Sequence, residues 1–207
     1  MLIEIFLNAF ITLVVITDPL GTAAVFTSLV VGQEGAKIKA MAVKATLIAF
    51  FLLVFFSFLG APLLTQLGIS IPAFRIAGGL LLFVTAFRML FGDHDPQSLK
   101  GEEGAYGDRS DIAVFPIAIP LLSGPGCLTA VILLASKAQD QTGGQAALIA
   151  AMVAVSIVTL VCLMGAGAVQ RFVGKSGLNI LARVMGVVLA AMSVQFIADG
   201  IRGMSFY

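Results

Sequence analysis

The chain has 207 residues, is 59% hydrophobic and has a mean hydropathy of +1.08, which excludes an ordinary soluble domain. Its net charge of +1 implies no nucleic-acid surface. The length suits an all-α membrane protein of six transmembrane helices joined by short loops, with the lipid bilayer as its main partner.

The first predicted span runs from Leu2 to Val31 and is interrupted at Thr17-Asp18-Pro19-Leu20-Gly21, where a proline and a glycine two residues apart break a helix. The N-terminus has no basic stretch and carries Glu4, so this span reads as retained rather than as a cleaved signal. A first loop covers residues 32–39. The second span runs from Met41 to Gln66 and the third from Ala73 to Phe91, across a tight uncharged turn, Gly68-Ile69-Ser70-Ile71-Pro72. Residues 92–111 are the one long polar stretch, read as a flexible cytoplasmic linker. The only histidine, His94, lies there beside Asp93 and Asp95 and lacks the further ligands that a metal site needs, so no metal and no cofactor is expected.

The fourth span runs from Ile112 to Ala135. Pro116 and Pro120 distort its first half, and a second break follows at Ser123-Gly124-Pro125-Gly126. The fifth span covers residues 144–169, a short basic loop Arg171 to Ser176, and the sixth Leu178 to Ile201. Small residues at Gly165, Ala166, Gly167 and Ala168 favour close helix approach, within the chain or in a homo-oligomer. The phenylalanines of span 2 (Phe50, Phe51, Phe55, Phe56 and Phe58) read as lipid-facing or packed bulk.

The two halves repeat the same order of motifs. Pro19 and Pro125 are 106 residues apart, and Arg75-x-x-Gly78 and Arg183-x-x-Gly186 are 108 apart. Each half is a broken span, a span, and a span opening on Arg-x-x-Gly. Three spans per repeat reverse the orientation, so residues 1–91 and 112–207 are expected to be inverted three-helix repeats with broken helices 1 and 4. Such a pair points to a secondary transporter with its site at the breaks. Nine of the twelve Lys and Arg fall on the loops after spans 1, 3 and 5 or on their flanks, against Arg75, Lys137 and Arg202 on the other side. That asymmetry places both termini in the periplasm.

At each break a half-helix restarts at membrane depth, its free N–H groups and positive end directed at the protein's middle. This is a site for an anionic group. Thr17 or Asp18 caps the first restart and Ser123 or Gly124 the second, with Pro19 and Pro125 at the first helical positions. A carboxylate in mid-span costs roughly 2.5–3.5 kcal/mol, of which a cap offsets about 1 kcal/mol. The shortfall favours a watery cavity or a cationic partner for Asp18. A zwitterion fits both breaks: its carboxylate at the N–H groups after Gly124, its ammonium at Asp18. Thr17, Thr22, Ser123 and Thr129 are candidate hydroxyl donors. The rival roles for Asp18 are a plain helix cap and a site for a coupling ion, H⁺ or Na⁺. Arg75 and Arg183 are read either as snorkelling to headgroups or as gate residues.

These residues carry a family resemblance. Ile16-Thr17-Asp18-Pro19-Leu20-Gly21, the stretch from Gly68 to Gly79, Phe115-Pro116-Ile117-Ala118-Ile119-Pro120 with Ser123-Gly124-Pro125-Gly126, and Arg183-Val184-Met185-Gly186 resemble the MarC family of integral membrane proteins, over nearly the whole chain. The resemblance implies six spans in the bacterial inner membrane. Its SnatA-like members imply transport of small neutral amino acids such as glycine and alanine. It points to Asp18, Pro19, Gly21, Gly124, Pro125 and Gly126 as substrate-lining positions. Many members have Asn-Pro at the first break, whereas this chain has Asp18-Pro19.

Two other classes compete: a non-transporting membrane scaffold or channel, and a membrane thiol-redox carrier. The latter wants a cysteine in each half, but Cys127 and Cys162 both lie in the second. No nucleotide-binding motif is present, and no enzymatic activity or catalytic residue is expected.

Overall fold

The computed structural model describes residues 2–30, 33–91, 113–139 and 141–204, and every regular element among them is helical. α1 (Leu2–Thr17) and α2 (Pro19–Leu29) are the two parts of the first predicted span, separated by the single residue Asp18. α3 (Gly35–Gln66) and α4 (Ile71–Phe91) are joined by a short turn in which Gly68 takes φ +70°, a left-handed conformation open to glycine. α5 (Ala113–Leu122) is wound as a π-helix. α6 (Pro125–Gln139), α7 (Gly144–Met164) and α8 (Ala166–Gly203) complete the chain.

Five segments are long and apolar enough to cross a membrane: Leu2–Thr27, Gly35–Gln66, Ile71–Phe91, Gly144–Met164 and Arg183–Gly203. The fourth predicted span divides at its expected break into α5 and α6. Neither part has the length of a span. α5 carries Pro116 and Pro120, four residues apart, which disfavour ordinary α-helical winding. A prolyl ring clashes with the carbonyl four residues back and offers no N–H, and a wider turn moves that carbonyl aside. At the end of α5 the N–H of Ser123 reaches back five residues to the carbonyl of Ala118, at 3.0 Å.

Three boundaries differ from the sequence reading. α3 starts at Gly35, inside the loop expected over residues 32–39. The fifth span ends at Met164, and the basic loop expected from Arg171 to Ser176 lies within α8. The fifth span ends early because its helix stops at Gly165, inside apolar sequence; the other two share one cause. Hydropathy marks where a helix is in lipid, whereas the hydrogen-bond ladder continues into polar sequence. At 38 residues α8 is about 57 Å long, nearly twice a hydrocarbon core of ~30 Å. The linker and His94 lie outside the described residues.

Packing among these helices follows a regular pattern. α1 packs on α7 and α5 packs on α3; α2 packs on α8 and α6 on α4; α2 packs on α7 and α6 on α3. The most extensive contact among the described residues joins α4 to α8. The two run antiparallel, for Gly200 lies on Pro72 and Ile76, Gly79 on Ser193 and Ile197, and Gly186 on Ala86, Met89 and Leu90. Small or compact residues therefore recur every seven positions on both sides: Pro72, Gly79 and Ala86 against Gly200, Ser193 and Gly186. In lipid no hydrophobic force pulls helices together, and close backbone approach through small residues takes its place. This register sets Leu82 opposite Ala190 at the middle of the seam. On the outer face of α3, Phe51, Phe55 and Phe58 are 64%, 51% and 47% exposed, as lipid-facing side chains should be.

Candidate functional site

The first break is one residue wide. The N–H of Asp18 still closes the last turn of α1 on the carbonyl of Val14, at 3.0 Å. Asp18 then turns left-handed, at φ 39° and ψ 70°, and is the only non-glycine residue among those described with positive φ. That conformation costs a non-glycine residue about 1–2 kcal/mol, which Asp tolerates better than most because its short side chain bonds locally. Its Oδ1 accepts from the N–H of Gly21 at 3.1 Å, and its carbonyl accepts from the N–H of Thr22 at 2.9 Å. Asp18, and not Thr17, is thus the cap of α2, with Pro19 at the first helical position.

Gly21 is there for the cap. A methyl group added to it would occupy the place of the Asp18 carboxylate. Gly21→Ala is therefore expected to displace that carboxylate and to lower the thermal midpoint by the equivalent of a lost cap, about 1 kcal/mol. A melt of the purified variant matching the parent would show that the cap contributes nothing.

The hydroxyls at both breaks are committed to backbone. Thr17 Oγ1 donates to the carbonyl of Leu13 at 2.7 Å, and Thr22 Oγ1 to the carbonyl of Thr17 at 3.0 Å. Ser123 Oγ donates to the carbonyl of Ala118 at 2.7 Å, so Ser123 does not cap α6. The cap position belongs to Gly124, whose carbonyl accepts from the N–H of Leu128 at 3.0 Å. Thr17 and Ser123, 106 residues apart, play the same part in the two halves: each ties its hydroxyl to the helix it ends. Their oxygens keep lone pairs as acceptors, but their protons are spent. Thr129 is buried against Gly78, where an added Cβ would meet it.

The fold brings the breaks together through shared packing. Val15 and Ile16, just before the first break, pack on Leu82, Ala86 and Leu189 of the seam. Gly126, just after the second, lies directly on Leu82. Val14 and Ile16 share a core cluster with Cys127 and Leu128, and Leu122 shares another with Ala23 and Phe26. Cys162 of α7 packs against the latter cluster and lies within electrostatic reach of the Asp18 carboxylate. Both breaks therefore abut the centre of the α4–α8 seam. They differ in charge: a carboxylate caps one restart, and the other has a glycine with no side chain to block approach to its backbone.

Arg75 and Arg183 sit seven residues from Leu82 and from Ala190 on antiparallel helices. They flank the breaks on opposite sides, each ~10 Å along the seam from its centre. Arg75 is half-buried and Arg183 exposed, and neither forms an ion pair among the described residues. Both cysteines are free thiols. No cluster of three His, Cys, Asp or Glu side chains fit to hold a metal occurs among the described residues. Sequence reasoning missed Leu82, the residue that joins the two breaks; as one leucine in an apolar span, it carries no signal of its own.

An all-helical body whose long apolar helices are broken beside a common seam defines a polytopic integral membrane protein with an internal candidate site. The chain belongs to the MarC family of integral membrane proteins, whose model matches residues 3–205. It is 35% identical over 201 residues to a UPF0056 membrane protein of Aquifex aeolicus, covering 97% of this chain and 94% of that one. It is 34% identical to the inner membrane protein MarC of Salmonella typhimurium, covering 92% and 91%, and 32% identical to the membrane protein YvbG of Bacillus subtilis, covering 99% and 97%. No solved structure matches the chain.

Proposed function

We propose that the protein is a secondary transporter of a small neutral amino acid, glycine or alanine being the best fit, with its site between the breaks at Asp18 and Gly124. The observation that carries this reading is the joint placement of the two restarts on one seam, one capped by a carboxylate and the other bare. A zwitterion has the complementary charges. Its carboxylate meets the backbone N–H groups at the start of α6, and its ammonium meets Asp18. A side chain no larger than a methyl suits breaks packed this closely, Ile16 and Gly126 both lying on Leu82.

The packing pattern supports reading residues 1–91 and 112–207 as inverted repeats. Every pairing named above recurs with the halves exchanged, and α4 and α8 meet antiparallel about Leu82 and Ala190. Alternating access is then rocking of one half against the other about this seam. Arg75 and Arg183 stand where gates on the two sides of the membrane would stand. The Salmonella relative is named an inner membrane protein, and the same location is proposed for this chain, with both termini periplasmic.

Ligand-induced stabilisation of the purified protein tests the site. Glycine and alanine should raise its melting temperature in a saturable way, and a bulky or purely cationic amine should not. Stabilisation that is equal for all of them, or absent, would remove the zwitterion from the site.

A further inference from the structure

We infer that an alkyl chain from the surrounding lipid occupies a lateral crevice behind the second break. The crevice has a volume of about 220 Å³ and lies between α3, α4 and α6. Its walls are Phe56, Leu63 and Leu64 of α3, Phe74 and Leu81 of α4, and Ile132 of α6. Leu63 and Leu81 on its rim are 44% and 46% exposed, on helices long and apolar enough to span a bilayer. The opening thus adjoins the exposed apolar faces of those helices, the surface that meets lipid.

The lining decides the class of occupant. Apart from Thr129, buried at its floor, every wall is apolar. A zwitterion or an ion would give up its hydration there for no bond in return. An apolar cavity of about 150 Å³ in a soluble protein already takes up benzene. This crevice is larger and opens onto a solvent made of alkyl chains. The turn between α3 and α4 fixes which leaflet supplies the chain: Leu63 and Leu64 lie within a turn of the end of α3, and Phe74 within a turn of the start of α4. The chain enters from the side of the membrane that holds this turn.

The position of the crevice gives the occupant a role. Leu128, Thr129 and Ile132 form its inner wall and belong to the first two turns of α6, the half-helix that starts at the second break. An alkyl chain seated there props the back of that half-helix. Gly60 and Gly78 hold the same helix from α3 and α4, with Ile132 and Thr129 in the space a Cβ would take. This inference does not depend on the identity of the solute.

The sequence contains no tryptophan, so a single introduced one reports its surroundings alone. Phe74→Trp and Phe56→Trp place it in the crevice, Phe87→Trp on an exposed face, and Phe26→Trp in the buried core. Each variant is reconstituted in phosphatidylcholine vesicles with brominated acyl chains. Emission from position 74 or 56 should be quenched nearly as far as that from position 87, with position 26 protected. Adding Leu64→Phe to Phe74→Trp fills the crevice from its buried side and should restore emission. Protection of both crevice positions to the level of position 26 would overturn the inference. So would quenching at position 74 that Leu64→Phe leaves unchanged, since the chain would then touch Phe74 from outside.

Discussion

Gly79→Leu is expected to force α8 away from α4 and to give the largest loss of stability of any single substitution on the seam. A Cβ at position 79 would lie 2.8 Å from the carbonyl oxygen of Ser193 and 3.1 Å from the backbone nitrogen of Ile197. These are backbone atoms, so no rotamer change on α8 relieves the overlap. Overpacking costs about 1–3 kcal/mol where side chains can adjust, and the upper end or more applies where they cannot. The measurement is the thermal midpoint and the monodisperse yield in detergent. Gly35→Ala is the matched control, because a Cβ there meets nothing within 4 Å. Equal midpoints for Gly79→Leu and the control would mean that α4 and α8 do not meet in this register.

The second large effect is on solute binding. Asp18→Asn keeps a side-chain oxygen for the N–H of Gly21 and a residue type that tolerates the left-handed conformation, so the midpoint should hold. It removes the charge on which the proposed ammonium contact rests. A hydrogen bond to a charged group contributes about 1.5–3 kcal/mol, so affinity for glycine or alanine should fall roughly ten- to a hundredfold. Asp18→Ala loses cap and charge together and should lower both midpoint and affinity. A variant Asp18→Asn that binds as the parent does would reduce Asp18 to a helix cap.

The parts of the fold legible in the sequence were those written as backbone exceptions. Asp18-Pro19 and Gly124-Pro125 announce two restarts, because proline and glycine cannot continue a helix at those places, and α2 and α6 begin at those prolines. Hydropathy does not distinguish a loop from a helix that has left the lipid, which is why residues 171–176 and the start of α3 look like loops in the sequence. Pro116 and Pro120 announced distortion but not its winding, since the choice of a π turn depends on where neighbouring carbonyls can go. At the site, Asp18 was legible as a cap, because a carboxylate in mid-span needs an explanation. The direction of the hydroxyls of Thr17, Thr22 and Ser123 was not, since each had backbone and solute as competing partners. The seam was half legible. Arg-x-x-Gly marked Gly78 and Gly186, but Gly78 meets Thr129 of α6, and it is the neighbouring Gly79 that lies on α8.

The role proposed for the paired breaks is to carry a solute across the membrane. It is tested most directly by uptake of labelled glycine and alanine into proteoliposomes, with no gradient, with a proton gradient and with a Na⁺ gradient. Uptake should be saturable and driven above equilibrium by one of the two gradients, with Asp18→Asn reduced in affinity while its midpoint is unchanged. Folded protein that takes up neither amino acid under any of the three conditions would contradict it.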